Sequence, residues 1–171
     1  MEKKRIVHLI GDVTTESISR LSDQVFQLWQ EDPEGEITLY VGSVGGGVTA
    51  GLAFYELVRV CKIPLVTIGL GNVGSMGLIV WAAGTRRLAT ANTQFLIHEL
   101  RRHFENEWLR TSDFETGLYN LKLDEDTLLQ IIAGICGQSR EELHAIAHLE
   151  RSLTVKEAVD LGLLREEDIL R

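Results

Sequence analysis

Residues 65–84 constrain the fold more than any other part of the sequence. Residues 65–70 are apolar and rich in β-branched side chains, which is typical of a buried strand. Residues 76–83 are apolar on every side and are followed by Gly84, which predicts a buried helix with a glycine at its C-terminus. Ser75, in the turn between them, is therefore expected at the N-terminus of a core helix, where unpaired amides favour a nucleophile or a bound anion. The alternative interpretation is that Ser75 only caps the helix, since serine is a common N-cap.

The same order of strand and helix occurs on both sides of this segment. Residues 5–10 predict a strand and residues 14–30 a helix, residues 37–41 a strand and residues 50–61 a helix, and residues 94–97 a further strand. Repeated strand-helix units predict an α/β fold with a mostly parallel sheet and helices on its faces. A chain of 171 residues is long enough for one domain, which we place at residues 1–171.

Three loops with chemically useful residues follow strands of this predicted sheet. Gly46 belongs to a loop with three adjacent glycines, residues 45–47, and Ser75 and His98 each follow a strand. The glycine loop matches neither a dinucleotide fingerprint nor a phosphate-binding loop, so it is interpreted as a wide turn with free amides. Because ligand sites gather at the carboxyl ends of parallel strands, the three loops are expected to meet at one site.

Two candidate residues also have ordinary structural interpretations. A histidine that leaves a strand is more often capped or solvated than catalytic, and only its convergence with Gly46 and Ser75 favours a role as a base for His98. Glu150 lies in a loop between two short helices that Ser139 and Thr154 are predicted to cap. From the residues alone, Glu150 is an ordinary loop carboxylate.

A long helix near the C-terminal half is predicted to project from the domain. Residues 112–115 form a capping-box pattern, and apolar residues recur at helical spacing from there to Gly134. This helix is longer than one small sheet requires, so its apolar side is expected to contact another subunit, although a core stripe is the simpler alternative. The cluster Arg101-Arg102-His103 before it is interpreted as a solvated charged face.

Composition excludes several classes of function. The net charge of −8 argues against nucleic acid or an anionic membrane as the main partner. The sequence has no apolar run long enough for a transmembrane helix, and its basic N-terminus, residues 1–8, lacks the apolar stretch of a signal peptide. Cys61 and Cys136 lack metal-site spacing and are interpreted as small core residues. We therefore expect a cytoplasmic protein without a metal or cofactor.

Several of these segments together resemble the proteolytic subunit of the Clp protease, a family within the crotonase-like fold. The resemblance rests on S-x-G-G-x-V-T-A-G at residues 43–51, G-S-M-G at 74–77, A-A-G at 82–84, I-H at 97–98 and the segment 137–163. It covers nearly the whole chain from about Arg5. It implies a repeated strand-helix fold with a handle at about residues 100–134.

Carried over residue by residue, the resemblance implies a serine endopeptidase that cleaves peptides or unfolded polypeptides. Ser75 corresponds to the nucleophile, His98 to the general base and Glu150 to the position of the catalytic acid. The amides of Gly46 and Met76 correspond to the oxyanion hole. A strand beginning near residues 47–48, Gly47 and Val48, would hold an extended peptide by β-augmentation.

The sequence departs from the family at informative positions. Val44 replaces a proline, Leu149 replaces an arginine before the acid, and residues 99–102 replace a Gln-Pro and glycine-rich segment. The family's N-terminal helix and axial hairpin do not precede Arg5, so docking to an ATPase unfoldase is not expected. Assembly into homo-oligomeric rings through residues 112–134, alone or with a paralogous subunit, is expected.

Two other functions remain open from the sequence. The first is a weak or inactive subunit that acts as a scaffold or as the partner of an active paralogue, which Glu150 and Leu149 favour. The second is a crotonase-fold enzyme acting on acyl thioesters, with the glycine-loop amides binding the thioester oxyanion. The Ser-His pair argues against the second, because that group usually brings carboxylates to its site.

Overall fold

The computed structural model describes residues 5–101 and 110–171. The predicted basic segment at residues 1–4, and the residues Arg102 and His103 of the charged cluster, lie outside the described residues. The first part of the handle, residues 102–109, also lies outside them.

The described chain alternates strands and helices from its first strand onward. The elements are β1 (Ile6–Ile10), α1 (Thr15–Glu31), β2 (Ile37–Ser43), α2 (Val48–Cys61), β3 (Leu65–Gly74), α3 (Met76–Ala82), β4 (Arg86–Thr90), β5 (Gln94–Leu96), α4 (Thr111–Cys136), α5 (Arg140–His148), β6 (Ser152–Thr154), α6 (Val155–Leu161) and β7 (Ile169–Leu170). A short 3₁₀ turn, Glu166–Asp168, precedes β7. No helix in these two ranges is long and apolar enough to cross a membrane.

The sheet is mostly parallel, which confirms the predicted α/β class. Its main path runs β1-β2-β3-β4-β7, and every pair along it is parallel. β5 leaves this path: it pairs in parallel with the end of β3 and antiparallel with β6. The sheet therefore has a small branch at the carboxyl end of β3, next to Ser75.

α3 lies wholly inside the protein, as its apolar sequence predicts. All of its residues are buried, and Trp81 donates its indole N–H to the Leu88 carbonyl at 2.9 Å. The Trp81 and Phe95 rings pack with centroids 5.1 Å apart. Thr67 donates its hydroxyl to the Trp81 carbonyl at 2.7 Å. These contacts anchor the C-terminal end of α3 to β3, β4 and β5.

Several predicted boundaries differ from the observed ones. β3 does not stop at Leu70 but continues to Gly74, because β5 gives its last residues a second hydrogen-bonding partner. α4 does not begin with a capping box at Ser112: Arg110 is the N-cap, and its amide donates to the Asp113 carboxylate. It also runs past Gly134 to end at Gly137, whose φ of 71° suits a helix C-cap.

α4 has a buried half and an exposed half. Leu128, Leu129 and Ile132 in its second half belong to the core. Leu118, Tyr119 and Leu123 in its first half are more than half exposed. The core-stripe interpretation therefore holds for the second half of α4, whereas the first half presents apolar side chains to solvent.

Candidate active site

Ser75 has a backbone conformation that a simple helix cap does not need. Its φ and ψ are 51° and −127°, and its side chain makes no capping hydrogen bond. An ordinary N-cap has extended backbone and accepts a hydrogen bond through its side chain. The Ser75 amide donates to the Leu96 carbonyl at 2.9 Å, which ties this turn to β5. Ser75 therefore occupies the N-cap position of α3 without capping the helix through its side chain, and its hydroxyl makes no hydrogen bond to the helix.

The glycine loop between β2 and α2 lies directly against Ser75. A Cβ atom added to Gly45 would come within 2.6 Å of the Ser75 Cβ and 3.1 Å of the Met76 amide nitrogen. On the other side of the turn, a Cβ added to Gly77 would come within 2.3 Å of the Ser43 carbonyl oxygen. Only glycine permits this approach, so the loop and the start of α3 form one continuous backbone surface.

Two amides on this surface are available to a ligand. Met76 opens α3, so its N–H is among those without an intrahelical acceptor. Gly46 has φ of 145° and lies between two neighbours that bond to Val13: the Val13 amide donates to the Gly45 carbonyl at 2.8 Å, and the Gly47 amide donates to the Val13 carbonyl at 2.7 Å. Within the described ranges, neither the Gly46 nor the Met76 amide donates to a backbone carbonyl outside its element.

The strand expected near Gly47 and Val48 is not present. Gly47 is the N-cap of α2 and Val48 is its first helical residue. Because the Gly47 amide is bonded to Val13, it has no free donor with which to hold a peptide strand. Both residues nevertheless line the cleft that contains Ser75.

The branch of the sheet aligns the three candidate catalytic residues. Gly74 on β3 is in register with Leu96 on β5, and Leu96 is in register with Ser152 on β6. Ser75 follows Gly74 directly, His98 lies two residues beyond Leu96, and Glu150 lies two residues before Ser152. Because β6 is antiparallel to β5, all three positions fall at the same end of the branch. Sequence analysis missed β6, whose three residues are too few to show a strand pattern.

Ser75 and His98 share an open cleft of about 640 Å³. Its lining also includes Gly46, Gly47 and Val48, together with Asp12, Val13, Thr14, Val44, Gly45, Leu100, Arg101, Leu121 and Asp124. A smaller apolar pocket adjoins the same two side chains and is lined mainly by α3, by residues 96–100 and by α4. The structure thus brings the predicted nucleophile, base and amide loop together, beside a small apolar pocket.

Glu150 lies near His98, but its carboxylate bonds to another residue. Glu150 Oε2 accepts a hydrogen bond from Arg101 Nη2 at 2.5 Å, and no hydrogen bond joins it to His98 within the described part of the chain. The Arg101 guanidinium holds the pKa of Glu150 below its ordinary value, and the charges of His98 and His148 add smaller contributions in the same direction. The register of β5 and β6 puts Glu150 and His98 at the same end of the branch, yet Glu150 does not orient the His98 ring in this conformation.

Comparison with known proteins shows the family of this chain. The family model described as Clp protease matches residues 1–167. The chain belongs to the Clp protease family. A curated relative, the ATP-dependent Clp protease proteolytic subunit 1 of Leifsonia xyli subsp. xyli (strain CTCB07), is 30% identical over 173 residues, which cover 98% of this chain and 86% of the relative. The resemblance drawn from the sequence is therefore confirmed, and membership of the Clp protease family supports a protease, which is a hydrolase.

Proposed function

We propose that this Clp protease family member is a serine endopeptidase with Ser75 as nucleophile and His98 as general base. The observation that carries the proposal is the register of β3, β5 and β6, which brings Ser75 and His98 into one cleft beside the glycine loop. The uncapped Ser75 side chain at the start of a buried helix supports it further. Peptides or unfolded segments are the proposed substrates, since the cleft is open along the glycine loop.

The chemistry follows from the groups present. A serine hydroxyl is a poor nucleophile until a base accepts its proton, and His98 is the base within the cleft. Attack of Ser75 Oγ on a peptide carbonyl forms a tetrahedral oxyanion, and the proton passes to the imidazole of His98. The imidazolium then returns that proton to the leaving amine, which leaves an acyl group on Ser75 for water to hydrolyse.

The amides of Gly46 and Met76 are the proposed donors to the oxyanion. Neither of these amides donates to a backbone carbonyl outside its element in the described ranges, and both border the turn at Ser75. Removing one such donor typically costs about 3 kcal/mol of transition-state stabilisation. The contribution comes from fixed backbone dipoles, so it does not depend on a side chain that has to move.

Glu150 is the proposed third member of the site, acting on the far nitrogen of the His98 ring. A carboxylate there selects the productive tautomer and stabilises the imidazolium. The hydrogen bond from Arg101 to Glu150 favours a second candidate function, that of a weak or inactive subunit. If Glu150 does not orient the His98 ring, the site consists only of a Ser-His pair. The two functions differ in whether purified, assembled protein acylates at Ser75.

Labelling with a fluorophosphonate probe tests the proposal directly. We expect the wild-type protein to be tagged at Ser75, the Ser75→Ala variant to be untagged and the His98→Ala variant to be tagged at least a hundred-fold more slowly, the scale of general-base catalysis. Ser19→Ala, which removes an exposed hydroxyl on α1, is the matched control and should label like wild type. Peptide mapping by mass spectrometry locates the tag. An assembled wild-type protein that takes no tag would contradict the endopeptidase and favour the scaffold.

A further inference from the structure

Two ion pairs tie the chain beyond His98 to the end of α5. Glu99 Oε1 lies 2.9 Å from His148 Nδ1, and Arg101 Nη2 lies 2.5 Å from Glu150 Oε2. In each pair the partners are 49 residues apart in sequence. The pairs therefore hold the segment that carries the candidate base against the segment that carries the candidate acid.

The Arg101 pair occupies the carboxylate that His98 needs. A guanidinium is charged at every accessible pH and offers a planar fork that suits a carboxylate, whereas a neutral imidazole offers one N–H donor. In the resting protein Arg101 is therefore the stronger partner for Glu150. His98 becomes a strong competitor only when it takes the proton of Ser75 and gains a positive charge.

We infer that Arg101 is a positioning residue that holds Glu150 away from His98, so that release of the Arg101–Glu150 pair completes the site. The inference rests on the proposed function of Ser75 and His98. It assigns Arg101 no contact with substrate or with the reacting atoms. Arg101 acts on the rate only through Glu150.

The Arg101–Glu150 pair is exposed and can break readily. The Arg101 side chain is 72% exposed and that of Glu150 is 43% exposed, and ion pairs this accessible to water contribute little to stability and are screened by salt. By contrast, the backbone around Glu150 is anchored. Its amide donates to the Ala147 carbonyl at 3.1 Å, and β6 begins two residues later.

Because the backbone around Glu150 is anchored, the change that we expect on release is a rotation of the Glu150 side chain. The Glu99–His148 pair does not involve Arg101, so it holds the two segments together when the Arg101–Glu150 pair breaks. Glu150 can then turn to the imidazole of His98, fix its tautomer and direct the other ring nitrogen to Ser75. Salt that screens the pair, or a small anion that binds the Arg101 guanidinium, would have the same effect.

Kinetics of four variants test the inference. We expect Arg101→Gln to raise the kcat for a fluorogenic peptide by about five-fold, the scale of an exposed ion pair, with KM unchanged. Glu150→Gln and the double variant Arg101→Gln/Glu150→Gln should show no gain. Arg20→Gln, which removes another exposed arginine paired with a carboxylate on α1, is the matched control and should match wild type.

The dependence of kcat on ionic strength is a second measurement. It would not change in the expected way if Arg101 had only a structural role. Between about 50 mM and about 500 mM salt, the wild-type kcat should rise towards that of Arg101→Gln, because salt screens the pair, while Arg101→Gln itself stays constant. An unchanged or lower kcat in Arg101→Gln, or a gain that persists in the double variant, would overturn the inference.

A crystal structure of Arg101→Gln separates this inference from the proposed function. The expected structure has the Glu150 carboxylate within hydrogen-bonding distance of the His98 ring. A carboxylate that stays away from His98 overturns the inference even if Ser75 labels normally. Conversely, a Glu150–His98 bond in a protein that never labels at Ser75 supports the inference and contradicts the endopeptidase.

Discussion

At the scale of single residues, the backbone conformation of Ser75 distinguishes the candidate site. Three non-glycine residues of the described chain have φ above zero: Lys62 at 52°, Ser75 at 51° and Glu150 at 48°. Lys62 ends α2, where a left-handed residue is ordinary. Glu150 follows the C-cap Leu149 of α5 and has the same ordinary reason. Ser75 precedes a helix and has no such reason, and strained backbone of this kind costs about 1–3 kcal/mol and clusters at functional sites.

The contact between Gly45 and Ser75 gives a prediction at this scale. In Gly45→Ala the new Cβ would lie 2.6 Å from the Ser75 Cβ, so we expect at least a ten-fold loss of fluorophosphonate labelling and a loss of stability of about 1–3 kcal/mol. Gly71→Ala is the matched control, because Gly71 also has positive φ but has no neighbouring atom within 4 Å of the added Cβ. It should lose about 1 kcal/mol and label normally.

Labelling rates and urea unfolding of the two glycine variants separate backbone strain from steric contact. Strain is common to both substitutions, whereas only Gly45→Ala displaces the Ser75 turn. Normal labelling by Gly45→Ala would mean that the glycine loop does not shape the nucleophile's position.

At the scale of elements, the sequence predicted strands and helices well where their periodicity was long. α1, β2 and α2 were found within two residues of their predicted bounds, because each has a full set of apolar positions. The short elements were not predictable in this way. β6 has three residues and exists because β5 offers it a partner, which is information that only the tertiary structure holds.

The residues of the candidate site were also only partly predictable from the sequence. The positions of Gly46, Ser75 and His98 after strands were visible in the sequence, because the carboxyl ends of parallel strands share one edge. The Arg101–Glu150 pair was not visible, since it depends on side chains 49 residues apart meeting across the branch. The strand expected at Gly47 and Val48 came from the family resemblance, whereas Gly47 is the N-cap of α2 and its amide donates to the Val13 carbonyl.

The N-terminus of α6 gives a prediction about pH. The Thr154 amide donates to the Glu157 carboxylate, and this bond, with those from Arg151 and the Thr154 hydroxyl, lowers the pKa of Glu157 to about 2. A lowered pKa of this kind stabilises the folded protein at pH values above the ordinary glutamate pKa and loses its effect as pH falls towards 2. We expect Glu157→Gln to lower the urea midpoint at pH 6.

The difference in urea midpoint between wild type and Glu157→Gln should become smaller as the pH falls from about 4.5 towards 2, because wild-type Glu157 takes up a proton. Urea titrations followed by circular dichroism at several pH values in this window measure it. A difference that stays constant between pH 6 and pH 3 would show that the charge of Glu157 is not what stabilises the start of α6.

At the scale of the whole molecule, the exposed half of α4 is the surface proposed for ring assembly. Leu118, Tyr119 and Leu123 are 53%, 67% and 53% exposed, and Tyr119 and Leu123 are one helical turn apart. An apolar surface on a helix that is otherwise anchored in the core is typical of a protein–protein interface. The partner proposed for it is a second copy of this chain.

Leu118→Glu tests that proposal. A buried carboxylate at a subunit contact is costly, so we expect the native assembly to dissociate to smaller species, with labelling of Ser75 reduced in parallel. Gln130→Glu introduces the same charge on the exposed side of the anchored half of α4 and is the control that should assemble normally. Native mass spectrometry measures both. Full assembly by Leu118→Glu would place the interface elsewhere.

The pairing of β5 with both β3 and β6 also sets the order in which the site can form during synthesis. Ser75 and His98 leave the ribosome well before residues 152–154, and the branch that aligns them with Glu150 closes only when β6 has emerged and paired. Contacts between such distant parts of a chain form late in folding. A nascent chain therefore carries Ser75 without the third member of the site while residues 76–150 are made, and the three candidate residues are aligned only after β6 has been synthesised.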